Sequence, residues 1–382
     1  MAGSIRKQGK NSWSVMIELG RDPVTNGRRR LWLTVRGTKH NAERARTAAL
    51  AQRDQGIDLT PAKITLGEFL RRWLQDVVEH KVAPSTLVSY RAIVETQLIP
   101  ALGHIRLADL RPLEIQSAYT RWLKPGGRRD GHSGVLSGRT VLHYHGVLKA
   151  ALDQAVKMQY LAQNPCKAVD PPRPLRLEMR ALDEAEARRL LVAAQPEPLY
   201  AIFHTAVTTG ARLGELLALR WQDVDFNQGR VTISRTVRRF DGRGYVFGPT
   251  KTHRSRRSIS LDEETARVLQ DHRRRQLEQR LLVGPAYADQ DLIFATATGG
   301  VLADSTVRTT FNRTLRTAGL KRIRLHDLRH TAATLMLKAG VNSKVVSDRL
   351  GHSTVSFTLD NYAHALPDMQ RDGAEALARM IR

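Results

Sequence analysis

Several side chains in the second half of the chain are of types that grip phosphate or move protons. In T-G-A-R-L-G-E-L-L-A-L-R, Arg212 and Glu215 stand one turn apart in a segment whose other positions are nearly all apolar, which predicts a helix with both charges drawn partly out of water. Charges in that position must be paired or must hold a ligand. The pair is either a structural salt bridge or a device in which Glu215 orients the planar fork of Arg212 toward a phosphate. In H-D-L-R-H, His326, Arg329 and His330 fall on one side at about 100° per residue, with Leu328, Ala332, Leu335 and Ala339 on the other. That polar side is a solvated face or a set able to bind an anion and exchange a proton near neutral pH. Lys251 lies in G-P-T-K-T-H-R-S-R-R-S-I-S, followed closely by Arg254, Arg256 and Arg257. A lysine there is a solvated charge, or, with this density of cations, part of a hairpin laid along DNA. In R-L-G-H-S-T-V-S-F-T-L-D-N-Y, His352 follows Gly351, and Tyr362 shares core-facing spacing with Thr358 and Leu359. Taken alone, Tyr362 is a core or interface tyrosine.

These side chains need elements to hold them. The H-D-L-R-H segment enters a helix that runs to about Ala339 and stops at Gly340. Further helices are predicted over Asp183 to Ala194, Pro198 to Thr208 and Leu213 to Leu219. Val231 and Ile233 alternate as a strand, a turn at Asp241 to Gly244 leads into Tyr245 to Phe247, and another strand covers Ser258 to Leu261. A short helix through Val345, Val346 and Leu350 ends at Gly351, and Ser353 or Thr354 can cap the helix that carries Tyr362. From residue 176 to 382 this predicts a mixed α/β domain, helical with a small inserted sheet.

Two stretches precede it. Residues 1–61 alternate at Trp13, Val15, Ile17 and Leu19 and again at Leu31, Leu33 and Val35, a pattern of short strands, and Asn41 is placed to cap a following helix. A basic three-stranded sheet with one helix is large enough to read a DNA groove, and Arg28, Arg29 and Arg30 are its candidate contacts; a merely solvated charged surface is the other reading. Residues 63–169 turn helical: Thr65 and Glu68 have capping-box spacing, and Leu66, Phe69, Leu70, Trp73, Leu74 and Val77 form an apolar stripe. Helices follow over Ser85 to Leu98, Pro112 to Leu123 and Gly138 to Met158, the last two separated by a glycine-rich basic loop. Asp170 to Pro174, with three prolines, reads as a linker. The fold class predicted is mainly α with small β-sheets, in a multidomain chain without internal repeats.

Composition narrows the partner. Among 382 residues, 61 Lys+Arg against 37 Asp+Glu give a net charge of +24, which points to a polyanion. No apolar run reaches the roughly 18 residues of a spanning helix, and the N-terminus lacks an apolar signal core, so a soluble, cytoplasmic protein associated with the nucleoid, with no membrane partner, is expected. The single cysteine, Cys166, excludes an intrachain disulfide and fits a reducing compartment.

Taken together and in this order, the motifs resemble the catalytic domain of the tyrosine recombinase (phage integrase) family, whose site is written R, K, H-x-x-R, H, Y. Arg212, Lys251, His326, Arg329, His352 and Tyr362 match it in order, local words and final spacing. The 63–169 helices look like the family's core-binding domain. The first 61 residues are similar to the sheet domain by which phage and mobile-element integrases hold arm-type sites.

The resemblance implies site-specific recombination of double-stranded DNA at core and arm-type attachment sites, for integration and excision of a phage or mobile element. Arg212 and Arg329 would bind the non-bridging oxygens of the scissile phosphate. Tyr362 would attack the phosphorus to give a 3′-phosphotyrosine, with His326 accepting its proton, Lys251 protonating the departing 5′-oxygen and His352 contacting the phosphate or the tyrosine. Glu215 would support Arg212. No cofactor, neither nucleotide nor metal, is implied, because the covalent bond stores the phosphodiester's energy. A homotetramer on paired sites is implied, with an excision factor and a DNA-bending host protein as further candidate partners. The tail from Asp368 to Arg382 has helical spacing and can dock on a neighbouring subunit or on its own domain. Two rivals share the basic charge: a non-catalytic DNA-binding regulator, which has no use for six matched residues, and a relaxing topoisomerase, which has none for a second DNA-binding domain.

Overall fold

A computed structural model describes residues 3–21, 27–54, 64–126, 134–174, 180–240, 242, 244–250, 255–351, 354–362, 375 and 377–381. The chain divides into two compact units, Met1–Arg176 and Leu177–Arg382. The first two stretches read from the sequence therefore share one unit, although each closes its own apolar cluster.

In the first unit, strands β1 (Gly3–Gly9), β2 (Ser12–Arg21) and β3 (Arg28–Arg36) form an antiparallel sheet in the order β1-β2-β3. The two-residue period of a strand sends Val15 and Ile17 inward onto Ala42 and Ala49 of α1 (Lys39–Asp54). It leaves Arg30, Trp32, Thr34 and Arg36 on the open face, where Trp32 is 61% exposed. Helix α1 begins two residues before the cap predicted at Asn41. Gly37, at φ 122, turns the chain out of β3 early, and Thr38 Oγ1 accepts from the Asn41 amide at 3.4 Å.

The helical part starts at α2 (Leu66–Trp73), whose capping box closes as predicted: Thr65 Oγ1 accepts from the Glu68 amide at 3.2 Å, and the Glu68 carboxylate accepts from the Thr65 amide at 2.8 Å. A π-helical turn, Leu74–Val78, extends it. The helix predicted over Ser85 to Leu98 is α3 (Pro84–Ile93) followed by a second π turn, Val94–Leu98, and then α4 (Ile99–Leu102). Helices α5 (Pro112–Trp122) and α6 (Gly138–Lys157) complete a core built on Leu66, Leu70, Leu98, Ile115 and Leu148. Residues 127–133 of the glycine-rich segment fall outside the described residues. Cys166 is buried in this core, and burial pushes its thiol up to about 12, so it stays protonated and packs as a small apolar group.

The second unit opens with α7 (Glu184–Ala194), α8 (Tyr200–Thr209) and the short α9 (Leu213–Leu216). Among the described residues its β-structure comprises two small sheets where a single one was expected. Strands β4 (Val224–Asp225), β5 (Arg230–Ile233) and β8 (Arg257–Ser260) pair in that order, while β6 (Arg235–Phe240) and β7 (Gly244–Pro249) form a separate hairpin. Helices α10 (Glu263–Val283), α11 (Asp304–Thr317), α12 (Asp327–Lys338), α13 (Ser343–Leu350) and α14 (Val355–Tyr362) follow. Phe203 of α8 and Phe311 of α11 meet at 5.5 Å between ring centroids in the main core. Ala333 and Leu337 of α12 join Val346 and Leu350 of α13 in a smaller one. Among the described residues no helix is long and apolar enough to cross a membrane.

Candidate active site

Arg212 is placed by the way α8 ends. Gly210 takes the left-handed conformation at φ 64, which a helix stop favours and which only glycine adopts at no steric cost. Thr209 Oγ1 then accepts from the Ala211 amide at 3.2 Å. Arg212 is consequently extended (φ −72, ψ 148) and caps α9 from outside, whereas the sequence spacing put it within the helix. Its amide donates to Glu215 Oε2 at 3.0 Å and its Nη1 to Glu215 Oε1 at 2.8 Å. The Glu215 side chain is only 3% exposed and that of Arg212 40%. One edge of the guanidinium is therefore tied to a buried carboxylate while part of it still meets solvent, as a group awaiting an anion requires.

Glu215 has a second cation that sequence reasoning placed elsewhere. Arg257, expected among the DNA-facing residues, is buried, and its Nη2 donates to Glu215 Oε2 at 2.9 Å. The correction has a legible cause: Arg257 shares strand parity with Ile259, so β8 turns both inward, and Arg256 points out. Burial alone would raise the Glu215 carboxyl. The Arg257 guanidinium, joined by the Arg212 amide and charge, outweighs it and holds the group below the usual carboxylate range.

Helix α12 brings the second arginine to the same place. Its start is fixed by Asp327, whose buried carboxylate accepts from the Arg324 amide at 2.7 Å and from Arg324 Nη2 at 2.8 Å. Thr331 Oγ1 donates to Asp327 O and accepts from the Leu182 amide, each at 3.0 Å. Arg329 is 3% exposed, and its Nη1 donates to Gly210 O at 2.8 Å, two residues from Arg212. Of the two readings of this polar face, solvated or anion-binding, the solvated one does not hold at Arg329, which turns inward.

His326, at the N-terminal end of α12, stays accessible, with its ring edge-to-face against His330 at 5.3 Å and 87°. Partial burial lowers the His326 pKa, with the charges of Arg329, Arg212 and Arg324 acting in the same direction against Asp327. His330 is pushed down to about 4, by burial first and then by His326. An imidazole kept neutral within the field of Arg329 and Arg212 can accept a proton from a neighbouring acid.

Gly351, at φ 69, ends α13, and Tyr362 is the last residue of α14. The Tyr362 side chain, Lys251, Arg254 and His352 lie outside the described residues. Arg256 is exposed beside β8, and Arg28 and Arg30 are exposed on β3, while the Arg29 side chain is outside the described set. Of the residues predicted for the site, Arg212, Glu215, His326 and Arg329 are brought into one neighbourhood.

Residues 180–369 match the Phage integrase family, and residues 65–123 match the Phage integrase N-terminal SAM-like domain. A "Tyrosine recombinase XerC-like" protein of Caldanaerobacter subterraneus subsp. tengcongensis is 29% identical, over 97% of this chain and 97% of its own length. The ICEBs1 integrase of Bacillus subtilis is 29% identical, over 99% of this chain and 100% of its own. The Tn1549 transposon integrase, solved with a circular intermediate DNA, superposes with a TM-score of 0.68 at 21% identity, covering 82% of this chain and 99% of that one, which shows the shared fold. Family domains in both units, full-length relatives and the order of the site residues lead to one conclusion: the chain belongs to the phage integrase family of tyrosine recombinases.

Proposed function

We propose that this site-specific DNA recombinase cuts and rejoins strands through a covalent bond between Tyr362 and the scissile phosphate. The observation that carries the reading is the convergence of Arg212, held by Glu215, and Arg329, held by Gly210, beside the neutral ring of His326. Two guanidinium groups fixed before substrate arrives can stabilise charge as it develops on the non-bridging oxygens, with little reorganisation during the reaction. Tyr362 attacks phosphorus as its phenolic proton passes to His326. The bond to the 5′-oxygen breaks, that oxygen takes a proton from Lys251, and a 3′-phosphotyrosine remains. Attack by the 5′-hydroxyl of a second strand reverses the step and exchanges partners. His352 contacts the phosphate or places the tyrosine.

Two paired duplexes present four strands for exchange, so four protomers assemble on the paired sites. Residues 176–382 form the catalytic domain, 63–169 bind the core site and 1–61 bind arm-type sites. Support for the last comes from the open face of β3, where Trp32 stands among Arg30, Arg36 and Arg28. An excision factor and a DNA-bending host protein complete the assembly, and the reaction takes place in the cytoplasm on the nucleoid.

Mapping the attachment junctions in a host genome gives the cognate core site. A nicked suicide substrate of that site should then trap a protein–DNA adduct that survives denaturant and forms equally well in chelator. No adduct with the wild type, or an adduct with Tyr362→Phe, would overturn the reading.

A further inference from the structure

Arg257 satisfies three acceptors drawn from three places. Its Nη2 donates to Glu215 Oε2 at 2.9 Å, its Nε to the main-chain oxygen of Arg349 at 2.6 Å and its Nη1 to that of Ser255 at 3.0 Å. Its side chain is 5% exposed. Glu215 Oε1 takes Nη1 of Arg212, so a single carboxylate joins the two arginines. Arg349 lies in the last turn of α13, three residues before His352. Its own side chain fastens that turn to β8 and α8, through Ser260 O at 2.9 Å and Thr208 O at 3.0 Å.

We propose that Arg257 is a positioning residue that couples Arg212 to the segment delivering His352 and Tyr362. The inference rests on the phosphate-binding role of Arg212 and the nucleophilic role of Tyr362 given above. Its physical basis is the rigidity of the guanidinium. The planar fork fixes the directions of its donors relative to one another, so Glu215 and the end of α13 are held at one mutual spacing. A displacement of the α13 turn away from β8 withdraws Arg257 from Glu215 Oε2, which then keeps only the Arg212 amide as a donor, and the less restrained carboxylate can shift and carry the Arg212 guanidinium off the phosphate. An apolar pair of similar volume would fill the same space without the cost of desolvating a charge. What it would lack is this directional link, and the clamp and the nucleophile's segment would no longer assemble together.

The test compares adduct formation on suicide substrates that carry either the natural phosphate or a neutral methylphosphonate at the scissile position. The methylphosphonate lacks the charge that Arg212 offsets. Arg212→Ala should therefore slow cleavage of the phosphate by about 100-fold or more and that of the methylphosphonate far less, so the ratio of the two rates falls. Arg257→Met in the full-length chain should lower the same ratio, with about 100-fold loss on phosphate and core-site affinity within about twofold of wild type. Arg257→Lys keeps one charge beside Glu215, should lie between the two, and carries the test if the Met variant does not fold. Folded Arg257 variants that keep the wild-type ratio would overturn the inference, since a merely structural role slows both substrates alike. An unchanged ratio in Arg212→Ala would overturn it together with the clamp reading. A wild-type chain that forms no adduct on the natural phosphate would instead sink the proposed function itself.

Discussion

Arg329 donates from Nη1 to the main-chain oxygen of Gly210 at 2.8 Å across 119 residues of sequence, so one arginine of the candidate site is fixed by the turn that launches the other. A side chain at position 210 would disturb both. Its φ of 64 suits glycine, and an added Cβ would come within 2.3 Å of Leu350 Cδ2 and 3.3 Å of Ala332 Cβ. Gly210→Ala should therefore cost about 1 kcal/mol or more for left-handed backbone and about 1 to 3 kcal/mol for overpacking. Urea unfolding measures this, and an unshifted midpoint would contradict the close packing of α8 on α13.

Glu215 should govern acid stability. Its carboxyl titrates lower in the folded chain than in the unfolded one, so the unfolded state takes up the proton first as pH falls. The stabilisation is present above the ordinary glutamate range near 4.3 and is lost as pH drops through the lower folded value. Glu215→Gln removes the charge paired with buried Arg257 and should cost about 3 to 5 kcal/mol at neutral pH. The stability difference between variant and wild type should shrink on acidification. A difference independent of pH between 3 and 7, in the same unfolding assay, would argue against a charged Glu215.

The rate of adduct formation should fall on acidification, with the acid limb centred below the ordinary histidine value near 6.5, because His326 must be neutral to take the tyrosine proton and its pKa is lowered in the fold. His326→Gln should be slow and lack that limb. His330, pushed down to about 4, adds a stability effect of the same sign: the fold is favoured above 6.5 and loses that advantage as pH falls toward 4. Single-turnover cleavage across pH 5 to 8 checks the first part. A limb that persists in His326→Gln would assign it to another group.

Trp32→Ala should weaken binding to an arm-type duplex by about fivefold or more, as loss of an exposed aromatic contact does, and leave cleavage of isolated core sites intact. Arg30→Ala should reduce the slope of log affinity against log salt by about one. Deleting residues 1–61 should abolish integration while core cleavage persists. Unaltered arm binding by Trp32→Ala would remove the open face of β3 from consideration.

Much of the site is legible in sequence because its determinants are local. The spacing of Arg212 and Glu215 is enough to predict that the two are paired, although it sets Arg212 inside the helix and not at its cap, and Thr65 with Glu68 predicts a capping box that forms. Arg329 resists the same reading. A helix buried on nearly all sides carries polar residues such as Thr331 and Thr334 inward as well, and periodicity cannot distinguish a polar side facing protein from one facing water. Arg257 is obscured by its neighbours: in a run of cations charge dominates, although alternation with Ile259 marks it as inward. The π turns at Leu74–Val78 and Val94–Leu98 add a residue to a helical turn with no signature residue, which leaves the predicted helices intact but misstates their pitch.

The link from Arg257 to α13 ends on the peptide oxygen of Arg349. Every residue supplies that acceptor, so inheritance can rewrite the side chain at 349 without deleting the bond. A search for positions that vary in concert with 257 should accordingly recover Glu215, whose carboxylate is a matter of residue identity, and pass over 349. Half of this connection is written in the alphabet of side chains, and the other half is carried by the path of the main chain alone.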